Sequence, residues 1–274
     1  MSGSLHGKAA LISGGSKGIG LAIAKRLASD GARVVISART EAVLEQSLKL
    51  LESIAPGRVF AVTADMTDRQ GIERAVAAAR RAAGEIDIVV SNVIGHQIEP
   101  DRKGPPPGHF QTIAPKEIHA EFKQLVLSAW RLAFAVVPAM QKRGWGRIIN
   151  IASGVAREPA WELPHLLPNM ARPAAAALHR LMSRELSATG VTVNSILTGS
   201  IATERNQQYF RWLSKERGTT FEALMSEYYA DVPMRRPGKP EEMASAVAFL
   251  CSDAAGLISG QGIPVTGGLM RHIY

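Results

Sequence analysis

Short apolar, β-branched runs alternate along this chain with longer segments whose apolar residues recur at helical spacing. Ala9-Ala10-Leu11-Ile12 opens the series, and Arg33 to Ser37, Arg58 to Thr63, Ile86 to Ser91, Arg147 to Ile151 and Val191 to Leu197 continue it as predicted strands. Between them, Leu21 to Leu27, Glu41 to Ile54, Arg69 to Ala83, Pro115 to Arg143 and Ala171 to Thr189 read as helices. Strand and helix in strict alternation imply an α/β fold, a doubly wound parallel sheet covered on both faces, with ligands at the carboxyl ends of the strands. Two segments break the rhythm. One is Gly95 to Ala114, with Pro105-Pro106-Pro107-Gly108 inside it, and the other is Ala202 to Pro237. Both follow strand ends and are expected to border a pocket.

No linker or compositional break divides the 274 residues, so residues 1–274 are expected to form a single domain, with 202–237 as its substrate-loop segment. The net charge of +8 raises the question of nucleic acid, but the basic residues are dispersed over amphipathic helices and only 5% of residues are aromatic. No stacking platform is evident, and no nucleic acid is expected. The charge suits an anionic cofactor or a phosphate-bearing carrier instead. Cys251 is the sole cysteine, which excludes an intrachain disulfide and a cysteine-based zinc cluster, and leaves it as a core residue in the helix Ala244 to Leu250. The start, Met1 to Gly7, lacks the apolar stretch of a signal peptide, and no run reads as the ~20 apolar residues of a membrane span. A cytoplasmic location and no membrane contact are the expectation.

Chemistry enters at the first turn. Ser13-Gly14-Gly15-Ser16-Lys17-Gly18-Ile19-Gly20 joins the first strand to the first helix. Glycine permits positive φ, and its missing side chain lets a ligand approach the backbone, so phosphates can rest on the unpaired N–H groups of the helix start. This is the pattern of a dinucleotide site at the opening of a βαβ unit. After the second strand an NAD binder places an acid against the adenine ribose, whereas a 2′-phosphate calls for a cation. The chain reads Ser37-Ala38-Arg39 there, with Lys17 as a second positive charge, so NADP(H) is the expected cofactor.

The order of motifs resembles the short-chain dehydrogenase/reductase superfamily, over Gly7 to Gly268. Gly14, Gly18 and Gly20 match its glycine spacing, Asp65 and Met66 its adenine-contacting segment, and Ser91-Asn92-Val93-Ile94-Gly95 its Asn-Asn-Ala-Gly motif, with Asn92 kept. Ile149-Asn150-Ile151-Ala152-Ser153 is similar to the strand that ends in the catalytic serine. Thr198-Gly199-Ser200-Ile201-Ala202-Thr203 resembles the loop that holds the nicotinamide. Arg236 to Glu242 and Ile258 to Gly268 are close to the carboxyl-terminal signatures. The resemblance implies a Rossmann-type fold and a cofactor site made of Gly14, Ser16, Lys17, Gly18, Ile19, Gly20, Arg39, Asp65, Met66, Asn92, Arg172, Gly199, Ile201 and Thr203. It also implies that the helices Pro115 to Arg143 and Ala171 to Thr189 pair subunits into a homodimer or homotetramer.

The family's proton chemistry uses a serine, a tyrosine, a lysine four residues later and an asparagine. A phenol is a poor base at neutral pH unless a nearby cation stabilises its anion. Counting back from Val191-Thr192-Val193-Asn194 puts Pro168 at the tyrosine position and Arg172 at the lysine position, and counting back from Gly146 puts Leu125 at the asparagine position. The chain is similar to a divergent branch of the family, 3-oxoacyl-ACP reductase-like, that lacks the tyrosine and lysine pair. Ser153, Arg172 and His165 are the catalytic candidates: Ser153 and Arg172 to hold the oxygen, His165 because an imidazole titrates in the useful range. Arg172 itself stays protonated and is a poor general acid. Asn169 reads either as a group that orients water or as a helix cap, with Pro173 in the first turn. Tyr209, Tyr228 and Tyr229 read as lid or as packing, and His96 and His109 flank the proline-rich loop. The implied activity is an NADP(H)-dependent reduction of a ketone, or its reverse, on a small-molecule carbonyl substrate that can be CoA- or carrier-linked. The alternative is a non-catalytic subunit or cofactor-sensing partner of an active paralogue.

Overall fold

In a computed structural model of the chain, residues 5–93, 110–159 and 166–271 are described. Seven strands, β1 (Ala9–Ser13), β2 (Arg33–Ala38), β3 (Val59–Thr63), β4 (Ile88–Ser91), β5 (Gly146–Ile151), β6 (Val191–Thr198) and β7 (Gly262–Val265), form one sheet in the order β3-β2-β1-β4-β5-β6-β7. Every pairing is parallel, as the alternating pattern requires. The order reverses between β1 and β4, and such a switch point opens a crevice at the carboxyl ends of the strands.

Nine α-helices complete the described residues: α1 (Gly18–Ser29), α2 (Glu41–Glu52), α3 (Arg69–Ala83), α4 (Pro115–Phe122), α5 (Ser128–Arg143), α6 (Leu166–Leu186), α7 (Glu204–Glu216), α8 (Phe221–Ala230) and α9 (Pro240–Cys251). One core joins α1, α2 and α9 to one face of the sheet through Ile12, Ile23, Leu27, Ile36 and Met243. The other joins α3 and α5 to the opposite face through Leu11, Ile72, Val136, Met140 and Ile148. Both faces of the central strands are buried, so β1, β2, β4 and β5 read as continuous apolar runs. A fully buried Ile or Leu contributes about 1.5–3 kcal/mol, which makes these strands the mechanical base of the crevice.

Several expectations need correction. The helix read as one from Pro115 to Arg143 is interrupted by a π-turn at Lys123–Leu127, a feature that breaks the 3.6-residue ladder and concentrates at functional sites. By length and composition the continuous run Pro115–Arg143 is apolar enough to cross a membrane, contrary to the reading of the sequence. It packs instead against α3, α6 and the sheet, while Leu127, Trp130 and Phe134 stay exposed, the two rings stacked 5.1 Å apart. α6 begins at Leu166 rather than Ala171, so Pro173 lies inside the helix and Asn169 is a helical residue, not its cap. Strand β7 and helices α7 and α8 add elements where the sequence was read only as signature or loop. Cys251 is buried at the end of α9, as expected, and burial pushes its thiol up to about 12.

The start of α9 carries a titratable clamp. Glu242 accepts hydrogen bonds from Arg236 Nη1 and Nη2 (2.8 and 2.7 Å) and from the Lys239 N–H (2.7 Å). The Arg236 bonds, then the backbone bond, hold its carboxyl at about 2 instead of the usual 4.5. A carboxyl with a depressed folded pKa stabilises above its unfolded pKa and loses that contribution as pH falls through the folded value. Glu242→Gln is therefore expected to lower the melting temperature at pH 7, with the gap to wild type closing between about pH 4.5 and 2. Thermal melts across that range test it; a gap of constant size would refute it.

Candidate active site

Beyond Ser13 the chain turns through Gly14 (φ +62°) and Gly18 (φ +53°) into α1. The turn has no room for a side chain at Gly14 or Gly20. A Cβ at Gly20 would lie 2.1 Å from the Gly14 carbonyl oxygen, and one at Gly14 would lie 2.6 Å from the Asn92 carbonyl oxygen. Asn92, just past β4, fastens the turn: its N–H donates to Ser13 Oγ (2.8 Å) and its Nδ2 donates to the Gly14 carbonyl (3.2 Å). Ser16 is buried beneath, its carbonyl accepting from Ser47 Oγ at 2.6 Å. The Leu21 N–H closes the first turn onto the Lys17 carbonyl, so the N–H groups of Gly18, Ile19 and Gly20 precede the intrahelical ladder. No acid stands in that first turn. A cradle with backbone donors, glycines at its closest points and no acid in its own first helical turn fits the pyrophosphate of a dinucleotide.

At the end of β2 Arg39 is exposed. Asp65, past β3, accepts from the Thr67 N–H (2.9 Å) and Thr67 Oγ1 (2.8 Å) through one oxygen. Burial raises its pKa, but those bonds and the charges of Arg39 and Lys123 outweigh it and hold the carboxyl below its usual range. Asp65 is thus an ionised acceptor with Arg39 within electrostatic reach, a suitable pair for an adenosine with a charged ribose. The side chain of Met66 is buried in the core, which leaves its main chain to serve a nucleotide, while Ile19 packs on the core and stays half-exposed. Lys17 points to Glu204 (3.7 Å), both groups exposed, at the start of α7.

Across the crevice, β5 ends before Ser153, which is half-buried at the start of a short 3-10 turn, Gly154–Ala156, and whose hydroxyl makes no capping bond. The neighbouring strand holds this corner through Thr198 Oγ1, which donates to the Ala152 carbonyl (3.0 Å). The loop after β6 is pinned by the Gly199 N–H to the Val265 carbonyl (3.1 Å) and by the Ala202 N–H to the Gly238 carbonyl (2.8 Å), with Ile201 buried. Thr203 caps α7 by accepting from the Asn206 N–H (3.2 Å), and its methyl lies 3.2 Å from where a Cβ on Gly18 would be. The loop therefore lies against the glycine turn. Asn206 Nδ2 donates to Ser200 Oγ (2.9 Å), which also bonds the Tyr229 hydroxyl (2.8 Å). Tyr229 is buried and its pKa raised by that burial, while Tyr209 and Tyr228 pack with Phe210 and Trp212. These tyrosines secure the α7 and α8 segment.

Pro168 and Arg172 lie one turn apart in α6, which packs on the 3-10 turn after Ser153. Arg172 is half-buried; desolvation pulls its pKa down, Glu121 opposes that and Arg205 adds to it. His165, His96, His109 and the proline-rich loop lie outside the described residues. Glu121 and Arg205 escaped the reading of the sequence. Glu121 is wholly buried on α4, four residues before the buried Leu125, and a carboxylate on an apolar helical stripe was the available signal. A cleft of about 400 Å³ lined by Trp145, Arg147, Thr192 and Asp253 sits at the amino ends of the strands, at the far end of the sheet from these residues.

Comparison with known proteins agrees with this geometry. A family model described as Enoyl-(Acyl carrier protein) reductase matches residues 14–270. The chain is 33% identical over 279 residues to Dehydrogenase/reductase SDR family member 4 of Sus scrofa, covering 98% of this chain and 89% of that protein. Its fold superposes on L-sorbose reductase from Gluconobacter frateurii, solved with NADPH and L-sorbose, at a TM-score of 0.90 and 30% identity over 100% of both chains. A variant of the actinorhodin polyketide ketoreductase with NADPH superposes at 0.86 and 29% identity, over 97% of this chain and 98% of that one. A glycine cradle at the switch point, a serine past β5 and a capped loop over the turn, matched along the whole sheet by these relatives, assign the chain to the short-chain dehydrogenase/reductase family of oxidoreductases.

Proposed function

We propose that the protein is an NADP(H)-dependent reductase of ketones, or oxidant of the corresponding secondary alcohols, with Ser153 and Arg172 in place of the usual proton-transfer set. The observation that carries the reading is that the glycine cradle, Asn92, Ser153 and Thr203 all follow the carboxyl ends of the central strands. The two NADPH-bound relatives support the choice of cofactor. Arg39 supports it independently, since a guanidinium where NAD enzymes place an acid offers a 2′-phosphate a charge-assisted partner.

When bound, NADPH supplies a hydride to the carbonyl carbon, leaving NADP+ and an oxygen that takes up one proton. The chain's own residues handle that oxygen. The Ser153 hydroxyl donates a hydrogen bond to it, and the Arg172 guanidinium stabilises the charge that develops there. Pro168 has nothing to donate, and an arginine does not give up its proton, so water, or His165 from the segment before α6, completes the transfer.

Fluorescence titration of the purified protein with NADPH and NADH tests the reading. Wild type is expected to prefer NADPH, and Arg39→Asp to reverse the preference by about tenfold or more, since the change removes an ion pair with the phosphate and adds a ribose acceptor. Equal affinities in wild type would sink the NADP(H) assignment. NADPH binding with no turnover across a panel of ketones would favour the non-catalytic reading, in which the fold serves an active paralogue.

A further inference from the structure

Strand β7 lies two places from β5 in the sheet, yet the segment that follows it leads to the Ser153 corner. After Val265 it passes the end of β6, where the Gly199 N–H donates to the Val265 carbonyl (3.1 Å) and the Cα of Thr266 lies 2.9 Å from where a Cβ on Gly199 would be. It then turns through Gly267 (φ +66°) and Gly268 (φ +87°), a conformation open to glycine, against Val232, Pro233 and Met234 between α8 and α9. The Met234 N–H donates to the Gly267 carbonyl (3.1 Å) and holds the turn there. This path sets Met270 on Gly154, the residue after Ser153: a Cβ built on Gly154 would stand 3.7 Å from Met270 Sδ and 3.8 Å from its Cγ, ordinary van der Waals contact. The Arg271 N–H donates to Glu158 Oε2 (3.4 Å), and the Glu158 N–H donates to the Gly154 carbonyl (3.1 Å), so the segment is fastened to the turn after Ser153. Met270 is only half-buried, so its thioether chain covers the turn and still presents surface.

We propose that Met270 is an apolar wall against which the substrate lies beside Ser153, so that the protein acts on ketones with an alkyl group there in preference to hydroxyketones of the same size. The inference rests on the reductase reading above. A thioether is at most a weak acceptor and donates nothing, so a substrate hydroxyl set against it gives up water without gaining a partner. An alkyl group in the same place gains burial and contact with a polarisable sulfur. The unbranched methionine side chain adapts to the group it meets, which suits a wall that must accept more than one alkyl chain.

The test compares kcat/KM with NADPH within two pairs of equal size, 2-pentanone against 4-hydroxy-2-butanone and 2-butanone against hydroxyacetone. Wild type is expected to favour the alkyl ketone by about tenfold or more in at least one pair. Met270→Gln, similar in length but polar, is expected to cut that ratio about tenfold, and Met270→Leu, which stays apolar, to retain most of it. Each protein is read as a ratio for the same two ketones, so their intrinsic reactivities cancel between variants. No preference for the alkyl ketone in either pair, a ratio that survives Met270→Gln, or one that falls equally in Met270→Leu overturns the wall while leaving the reductase reading intact. If NADPH binds but no ketone turns over, the reductase reading has failed, and calorimetry of the NADP+-loaded protein with 2-pentanol and 1,3-butanediol decides the wall. Tighter binding of 2-pentanol that Met270→Gln weakens then upholds it, and any other result overturns it.

Discussion

Gly20→Ala is expected to abolish NADPH binding, raising Kd by a hundredfold or more. The added methyl would sit 2.1 Å from the Gly14 carbonyl oxygen and 2.7 Å from Asn92 Nδ2, both parts of the cradle itself. Neither can yield cheaply: the carbonyl is backbone, and Asn92 is already committed to it and to Ser13. Overpacking of this kind costs about 1–3 kcal/mol, and relief comes by moving the loop away from the N–H groups that would hold the pyrophosphate. The loss of affinity is thus expected to exceed the loss of stability. Gly57→Ala is the matched control, since Gly57 also has positive φ (+70°) but nothing within 4 Å of its missing Cβ. It is expected to lower the melting temperature through the cost of left-handed backbone, about 1–2 kcal/mol, and to leave NADPH affinity alone. A Gly20→Ala protein that binds NADPH as wild type does would show that the cradle is not the cofactor site.

The contrast between those two glycines shows what could be read ahead of the structure. Gly14, Gly18 and Gly20 were legible because spacing between an apolar run and a helical pattern is a local property. Six strands were legible for the same reason. β7 was not, because Gly262-Ile263-Pro264-Val265 is short and carries a proline, which a sheet tolerates at its edge. The π-turn at Lys123–Leu127 leaves no trace in composition, since it is a change of hydrogen-bond register within an unbroken apolar stripe. Proline misled at α6. Pro173 was read as belonging to a first turn, but packing of Leu167, Ala171 and Ala175 into the core outweighs the N–H it removes and carries the helix back to Leu166. The role of Glu121 was hidden because it lies 51 residues before Arg172 along the chain, and only the packing of α4 on α6 brings its charge to bear on that guanidinium.

Ser153→Ala is expected to lower kcat for ketone reduction by about 10²–10³-fold, the cost of removing one preorganised donor from a developing oxyanion. In a family member with a phenol beside the serine, the second donor would soften that loss. Here the position one turn before Arg172 is Pro168, with neither donor nor acceptor on its side chain, so in the proposed mechanism Ser153 and Arg172 share the oxygen. NADPH affinity is expected to stay within about twofold, because the cradle and Asn92 make no use of the serine. The split matters: an effect on kcat with binding preserved locates the hydroxyl at the transition state, whereas equal loss in both would mean that the β5 corner had moved. Arg172→Lys provides the second arm. A lysine keeps the charge but not the planar fork of a guanidinium, so it is expected to recover less than the wild-type rate. If Ser153→Ala and Arg172→Lys both turn over at the wild-type rate, the chemistry belongs to other groups; if wild type itself has no turnover to lose, the fold has kept its cofactor and given up the reaction.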